Sequence, residues 1–192
     1  MNLYEYQKLA RGTALPGALS LDYLIPGLAG EVGEAVEAAT QSEPISLKEE
    51  LASELADINW FFAMICNVLR WDFFEVAFWG NKEATLESNQ LLIDEYFELH
   101  GEELSVQEHL DNLQVCVGNV CSAWAKSVRD NKRIISPEKA DQIKENMADA
   151  FWVNGLLAHK TGNTVEDLLK KNIEKLYGRK ERGVLGGSGN NR

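Results

Sequence analysis

The chain has 192 residues, enough to bury a sizeable core as one domain or two small ones, with 45% hydrophobic and 26% charged residues. Its net charge of −11 argues against non-specific binding to nucleic acid or to an anionic membrane, and suits a protein that recruits cations. No apolar run reaches the length of a membrane span, and the start Met-Asn-Leu-Tyr-Glu-Tyr-Gln does not read as a signal peptide.

Helical periodicity runs through long stretches, and no period-2 strand stands out. Leu3 to Ala10 reads as a short first helix ending at Gly12. Asp22 to Thr40 is the second, with an interruption expected at Pro26. Ser46-Leu-Lys-Glu49 reads as a capping box opening the third. Asp72 to about Leu99 reads as mostly helical with a break at Gly80, and Gly101 ends it. Ser105-Val-Gln-Glu108 is a further capping box, Ser136-Pro137 an N-cap with proline at N1, and Thr164-Val-Glu-Asp167 the opening of a last helix that runs to about Tyr177. The expected fold class is all-α, a helical bundle.

Two acid pairs stand out, Glu31-Val-Gly-Glu34 and Glu54-Leu-Ala-Asp57. At about 100° per residue, Leu24, Leu28, Val32 and Ala35 mark one apolar stripe, with Glu31 inside it and Glu34 at its edge. Leu51, Leu55, Ile58, Phe62 and Ile65 mark the next; Glu54 falls inside it and Asp57 beside it. All four carboxylates are therefore expected to face a core, while Glu37 lies opposite and reads as surface charge. Burying an unpaired carboxylate costs on the order of several kcal/mol. A cluster of oxygen ligands without His or Cys suits a hard cation such as Mg²⁺. Cys66, Cys116 and Cys121 form no CxxC pair and read as reduced thiols; His100, His109 and His159 pair with no obvious nucleophile.

The chain reads as a degenerate duplication of one unit. Ile45-Ser46 up to Ala56-Asp57-Ile-Asn-Trp-Phe61 resembles Ile135-Ser136 up to Ala148-Asp149-Ala-Phe-Trp-Val153, at an offset that grows from 90 to 92. Gly30 to Val36 aligns with Gly118 to Trp124. In the second copy Glu31 becomes Asn119, Glu34 becomes Ser122 and Glu54 becomes Asn146, while Asp57 keeps its counterpart Asp149. The expected organisation is an all-α domain over residues 1–178, with one repeat over about 20–99 and another over about 105–178, then a basic Gly-rich tail over 179–192.

An ExxE, 19 intervening residues and an ExxD, with the C-terminal block Lys171-Asn172-Ile-Glu-Lys175-Leu176…Arg179-Lys-Glu-Arg182-Gly183, resemble the MazG-like nucleotide pyrophosphohydrolases. These belong to the all-α NTP pyrophosphatase superfamily, which also holds the dimeric dUTPases. The resemblance implies Mg²⁺-dependent hydrolysis of a nucleoside triphosphate to a monophosphate and pyrophosphate, with dUTP or an alarmone as alternative substrates of the same fold. It implies metal ligation by Glu31, Glu34, Glu54 and Asp57 with two or three Mg²⁺ per site (Mn²⁺ also suits). Glu31 or Glu34 would act on the attacking water, and Lys171, Asn172, Lys175, Arg179 and Arg182 would face phosphate. Gln7, Asn119 and Asn146 are candidate base readers; Trp60 and Trp124 either stack on a base or fill the core. A homodimer in the cytoplasm, that of the host if the protein is phage-encoded, is expected, without a nucleic-acid polymer or a membrane as partner. Trp71-Asp-Phe-Phe74 and Phe78-Trp79 supply either the dimer interface or the monomer's own core. The competing reading is a non-catalytic helical scaffold whose acids are surface charge.

Overall fold

The computed structural model describes residues 1–41, 46–101 and 104–186. Over these residues the chain is an all-α bundle without strands: α1 (Leu3–Arg11), α2 (Leu21–Gln41), α3 (Leu47–Leu69), α4 (Phe73–Ala77), α5 (Leu86–His100), α6 (Val106–Asn131), α7 (Pro137–Lys160) and α8 (Val165–Glu181), with a 3₁₀ turn at Pro16–Ala18. No helix among them is long and apolar enough to cross a membrane.

Local chemistry sets most of these boundaries. The capping boxes at Ser105/Glu108 and Thr164/Asp167 form, and Ser136 caps α7 ahead of Pro137. Asn2 and Glu5 add another at α1. Ser46 departs from expectation. Its backbone is already helical at φ −100°, ψ −18°, and its side chain makes no capping bond, because a cap needs the extended conformation that aims the hydroxyl at the first turn.

Pro26 does not interrupt α2, which runs unbroken from Leu21 to Gln41. Pro26 is exposed, so the carbonyl that loses its partner one turn back faces water. The stretch from Asp72 to Leu99 is two helices, α4 and α5, joined by residues 78–85 with Trp79 at φ 52° and Gly80 at φ 68°. The last helix continues past Tyr177 to Glu181, so Arg179 stands on α8 rather than in a tail.

α2 packs on α3, and α6 on α7. In the first hairpin Gly27 meets Phe61 while Glu31 meets Glu54 and Asp57, so the helices run antiparallel. The close approach needs the glycine: a Cβ on Gly27 would stand 2.3 Å from Phe61 Cε1. The hairpins join through α2 against α6 and α3 against α7. At the centre Asn59 and Asn154, both fully buried, clasp α3 to α7: Asn59 Nδ2 donates to Asn154 Oδ1 at 3.0 Å, and both amides donate to the Leu55 carbonyl at 2.9 and 3.1 Å. Phe73 is buried and edge-on to Phe151 at 5.6 Å. The Trp71–Phe74 aromatics therefore serve the monomer core, and Trp124 is likewise core. Cys66 is buried, Cys116 and Cys121 are half-buried, and all three are free thiols.

Candidate functional site

The antiparallel α2–α3 pair turns two acid motifs into one cluster. A carboxylate oxygen from each of Glu31, Glu54 and Asp57 lies within 4.8 Å of the others. Glu54 is buried and the other two are half-buried. Glu34 departs from the expectation that four acids face the core: it is exposed and stands outside this triad. Three residues along a helix is a rotation of about 60° from Glu31, enough to carry it over the edge of the stripe.

Glu31 sits among like charges. Burial, and then the neighbouring charges of Asp57, Glu34 and Glu54, push the Glu31 carboxyl up from 4.5 to about 8, against a smaller opposing pull from Lys175. Lys175 Nζ lies 2.5 Å from Asp57 Oδ2 and 3.3 Å from Ser53 Oγ. The other Asp57 oxygen accepts from Asn172 Nδ2 at 2.7 Å, and Asn172 Oδ1 accepts from the Tyr6 hydroxyl at 2.9 Å. Tyr6 is fully buried. Burial and the nearby Asp57 charge raise its pKa, so it remains a phenol donor. The relay Tyr6–Asn172–Asp57–Lys175 thus fixes Asp57 from α1 and α8.

Beside the acids opens a cavity of about 150 Å³, lined among others by Glu31, Asp57, Trp60, Phe61, Tyr23 and Arg179. Trp60 Nε1 donates to Thr13 Oγ1 at 3.0 Å, which anchors the indole in the wall. The segment after α1 contributes Thr13 and Leu15, and Leu185 beyond α8 lies on the opposite side of the sequence from them yet lines the same space. Tyr23, Phe61, Thr13 and Leu185 are functional candidates that periodicity does not single out. Each looks like ordinary core or loop until the helices are assembled.

Several expected contacts are spent elsewhere. Asn172 is fully buried with both amide ends engaged, so here it positions Asp57. Lys171 is exposed and donates to Asn163 Oδ1 at 2.6 Å, in the α7–α8 turn. Gln7 is a clasp for the α3–α4 connection: its Nε2 donates to the Trp71 carbonyl and its Oε1 accepts from Phe73 N, both at 2.9 Å. Asn119 Nδ2 donates to Asn146 Oδ1 at 2.9 Å, and Asn146 Nδ2 to the Gln142 carbonyl at 2.8 Å. These amides face each other and neither lines the first cavity. Lys175 and Arg179 stand at the site, and Arg182 is exposed at the end of α8. The tail from Gly187 onward lies outside the described residues.

An all-oxygen set of three carboxylates, one of them driven to hold a proton at neutral pH by its like-charged neighbours, fits a hard divalent cation, which would offset that crowding.

The chain is 32% identical over 75 residues to the Gene 37 protein of Mycobacterium phage L5, a match that covers 39% of this chain and 66% of that protein. The chain thus spans just under two thirds of that relative's length. No family model and no solved structure matches.

Proposed function

We propose that the chain is a MazG-like, Mg²⁺-dependent nucleoside triphosphate pyrophosphohydrolase, converting a (d)NTP and water into a (d)NMP and pyrophosphate. The observation that carries this reading is the meeting of Glu31, Glu54 and Asp57 at a cavity walled by Trp60, Phe61 and Tyr23 and edged by Arg179. Water adds to the α-phosphorus, the bond to the bridging oxygen breaks, and pyrophosphate departs with that oxygen.

Glu31, Glu54 and Asp57 are the residues to hold the cation, which would offset triphosphate charge and acidify the attacking water. Glu34, exposed beside the cluster and outside the triad, is the carboxylate available to take the water's proton. Lys175 and Arg179 place positive charge where pyrophosphate charge develops. The Trp60 and Tyr23 rings offer faces to the base.

The test is pyrophosphate release from a panel of NTPs, dNTPs and dUTP, with Mg²⁺, with Mn²⁺ and with EDTA. Release with a divalent cation only, with monophosphate as co-product and a loss of ~100-fold or more in Glu54→Ala, is the expected result. No release from any nucleotide would overturn the triphosphate reading; an alarmone run beside the panel then decides whether the site works on a different pyrophosphate.

One observation favours the scaffold reading instead. Lys175 already neutralises Asp57 within the chain, as a purely structural acid cluster would require. A scaffold would show no cation-dependent change in melting temperature and would tolerate Glu54→Ala. The homodimer is proposed on the resemblance, with the exposed Leu91, Leu92 and Leu99 of α5 as apolar surface available to it; light scattering reads it directly.

A further inference from the structure

Three helices meet behind the acid cluster, and the residue farthest from the acids in that contact is a tyrosine. Tyr6 of α1 has no exposed surface. Its ring lies against Phe73, with centroids 6.5 Å apart, and its hydroxyl donates to Asn172 Oδ1 of α8 at 2.9 Å. Asn172, equally buried, passes the contact on: its Nδ2 donates to Asp57 Oδ1 of α3 at 2.7 Å. Asp57 Oδ2 accepts from Lys175, so each carboxylate oxygen has its own donor.

Chemistry fixes the direction of this chain of bonds. An ionised carboxylate only accepts, so Asn172 must turn its NH₂ toward Asp57 and its carbonyl oxygen toward Tyr6. A phenol donates to that oxygen, whereas a phenylalanine ring would leave it buried without a partner. Packing by itself does not ask for the hydroxyl, since phenylalanine fills the same space with no polar group to desolvate. What the hydroxyl adds is the orientation of the amide. Without it, Asn172 loses the bond that opposes an amide flip, and a flipped amide would set oxygen against the Asp57 carboxylate.

We propose that Tyr6 is a positioning residue of the cation site: through Asn172 it holds Asp57 in the rotamer that completes the triad with Glu31 and Glu54. This role rests on the cation reading of that triad. Tyr6 does not touch the cation; it acts on a ligand through a buried amide, and such outer partners commonly govern metal affinity by 10- to 100-fold. The same bonds also tie α1 to α8, so loss of stability alone does not separate positioning from fastening.

The test reads cation affinity directly, on the full chain without nucleotide, by titrating Mn²⁺ and following the free ion by electron paramagnetic resonance. Tyr6→Phe, which removes only the hydroxyl, should bind Mn²⁺ ~10-fold more weakly or worse while circular dichroism stays helical. Asn172→Leu should weaken it at least as much, and the double variant no further than Asn172→Leu alone, because Tyr6 acts through Asn172. Ser105→Ala serves as the control. It costs the cap of α6 and makes no contact with the relay, so its Mn²⁺ affinity should match the parent's. Parental affinity in Tyr6→Phe, an equal loss in Ser105→Ala, or additive losses in the double variant would overturn the positioning role and leave the cation reading standing. A parent chain that binds no Mn²⁺ saturably would overturn both.

Discussion

Glu31 is where the electrostatics of this protein concentrate. Its carboxyl titrates near 8 in the folded chain against an ordinary 4.5. Between those values the unfolded chain has released a proton that the folded chain still holds, so this group's contribution to stability falls as pH rises through the window. In EDTA, Glu31→Gln should melt higher than the parent at pH 8, and the gap should shrink toward pH 5. A gap that stays constant across that range would remove burial and repulsion as the cause. A cation needs the ionised form, so the melting-temperature gain from Mg²⁺ should be larger at pH 8.5 than at pH 6.5. Glu31→Gln should abolish that gain at both.

Asn172 gives a second residue-level prediction. Replacing it with Leu strands the Tyr6 hydroxyl and one Asp57 oxygen, at a cost of about 1–3 kcal/mol. Urea unfolding reads the loss; an unchanged midpoint would mean that the relay contributes nothing. The sequence resemblance marks Asn172 for phosphate, and the structure engages it with Tyr6 and Asp57. Its partners are Tyr6, 166 residues away, and Asp57, 115 residues away, and no local pattern encodes such distances.

At the scale of the helix, caps and periodicity were legible wherever the signal was local. Ser105/Glu108, Ser136-Pro137 and Thr164/Asp167 formed as expected because each box closes within three or four residues. Pro26 and Ser46 went the other way, since solvent access to a carbonyl and the approach angle of the chain depend on what lies outside the helix. Gly27 was silent in the sequence and is decisive in the α2–α3 contact. Gly27→Ala should destabilise the fold by about 1–3 kcal/mol despite alanine's better helix propensity, because the new methyl meets the Phe61 ring. Phe61 also lines the first cavity, so the same variant should raise KM more than it lowers kcat in the pyrophosphate assay. A variant as stable as its parent would show that the ring has room to yield.

For the whole molecule, two antiparallel hairpins pack through buried amides at their centre. Asn154→Leu removes a donor to the Leu55 carbonyl and leaves Asn59 without its cross-hairpin partner. The expected loss is about 1–3 kcal/mol with unfolding still a single transition. Two separated transitions would show that the hairpins fold as independent units. Asn119 and Asn146 meet across α6 and α7 as Glu31 and Glu54 meet across α2 and α3.

The sequence by itself determined the helices, the face of each that turns inward, and the spacing that lets Glu31, Glu54 and Asp57 converge. These are properties of a 3.6-residue period, and a short stretch of chain carries them entirely. The tertiary structure alone decided which polar groups remained available to a ligand. It turned Glu34 outward, spent Gln7, Asn172, Asn119 and Asn146 on internal hydrogen bonds, and brought Thr13, Tyr23 and Leu185 to one cavity. A buried amide or hydroxyl takes whichever partner the packing sets within about 3 Å, and that partner belongs to another helix.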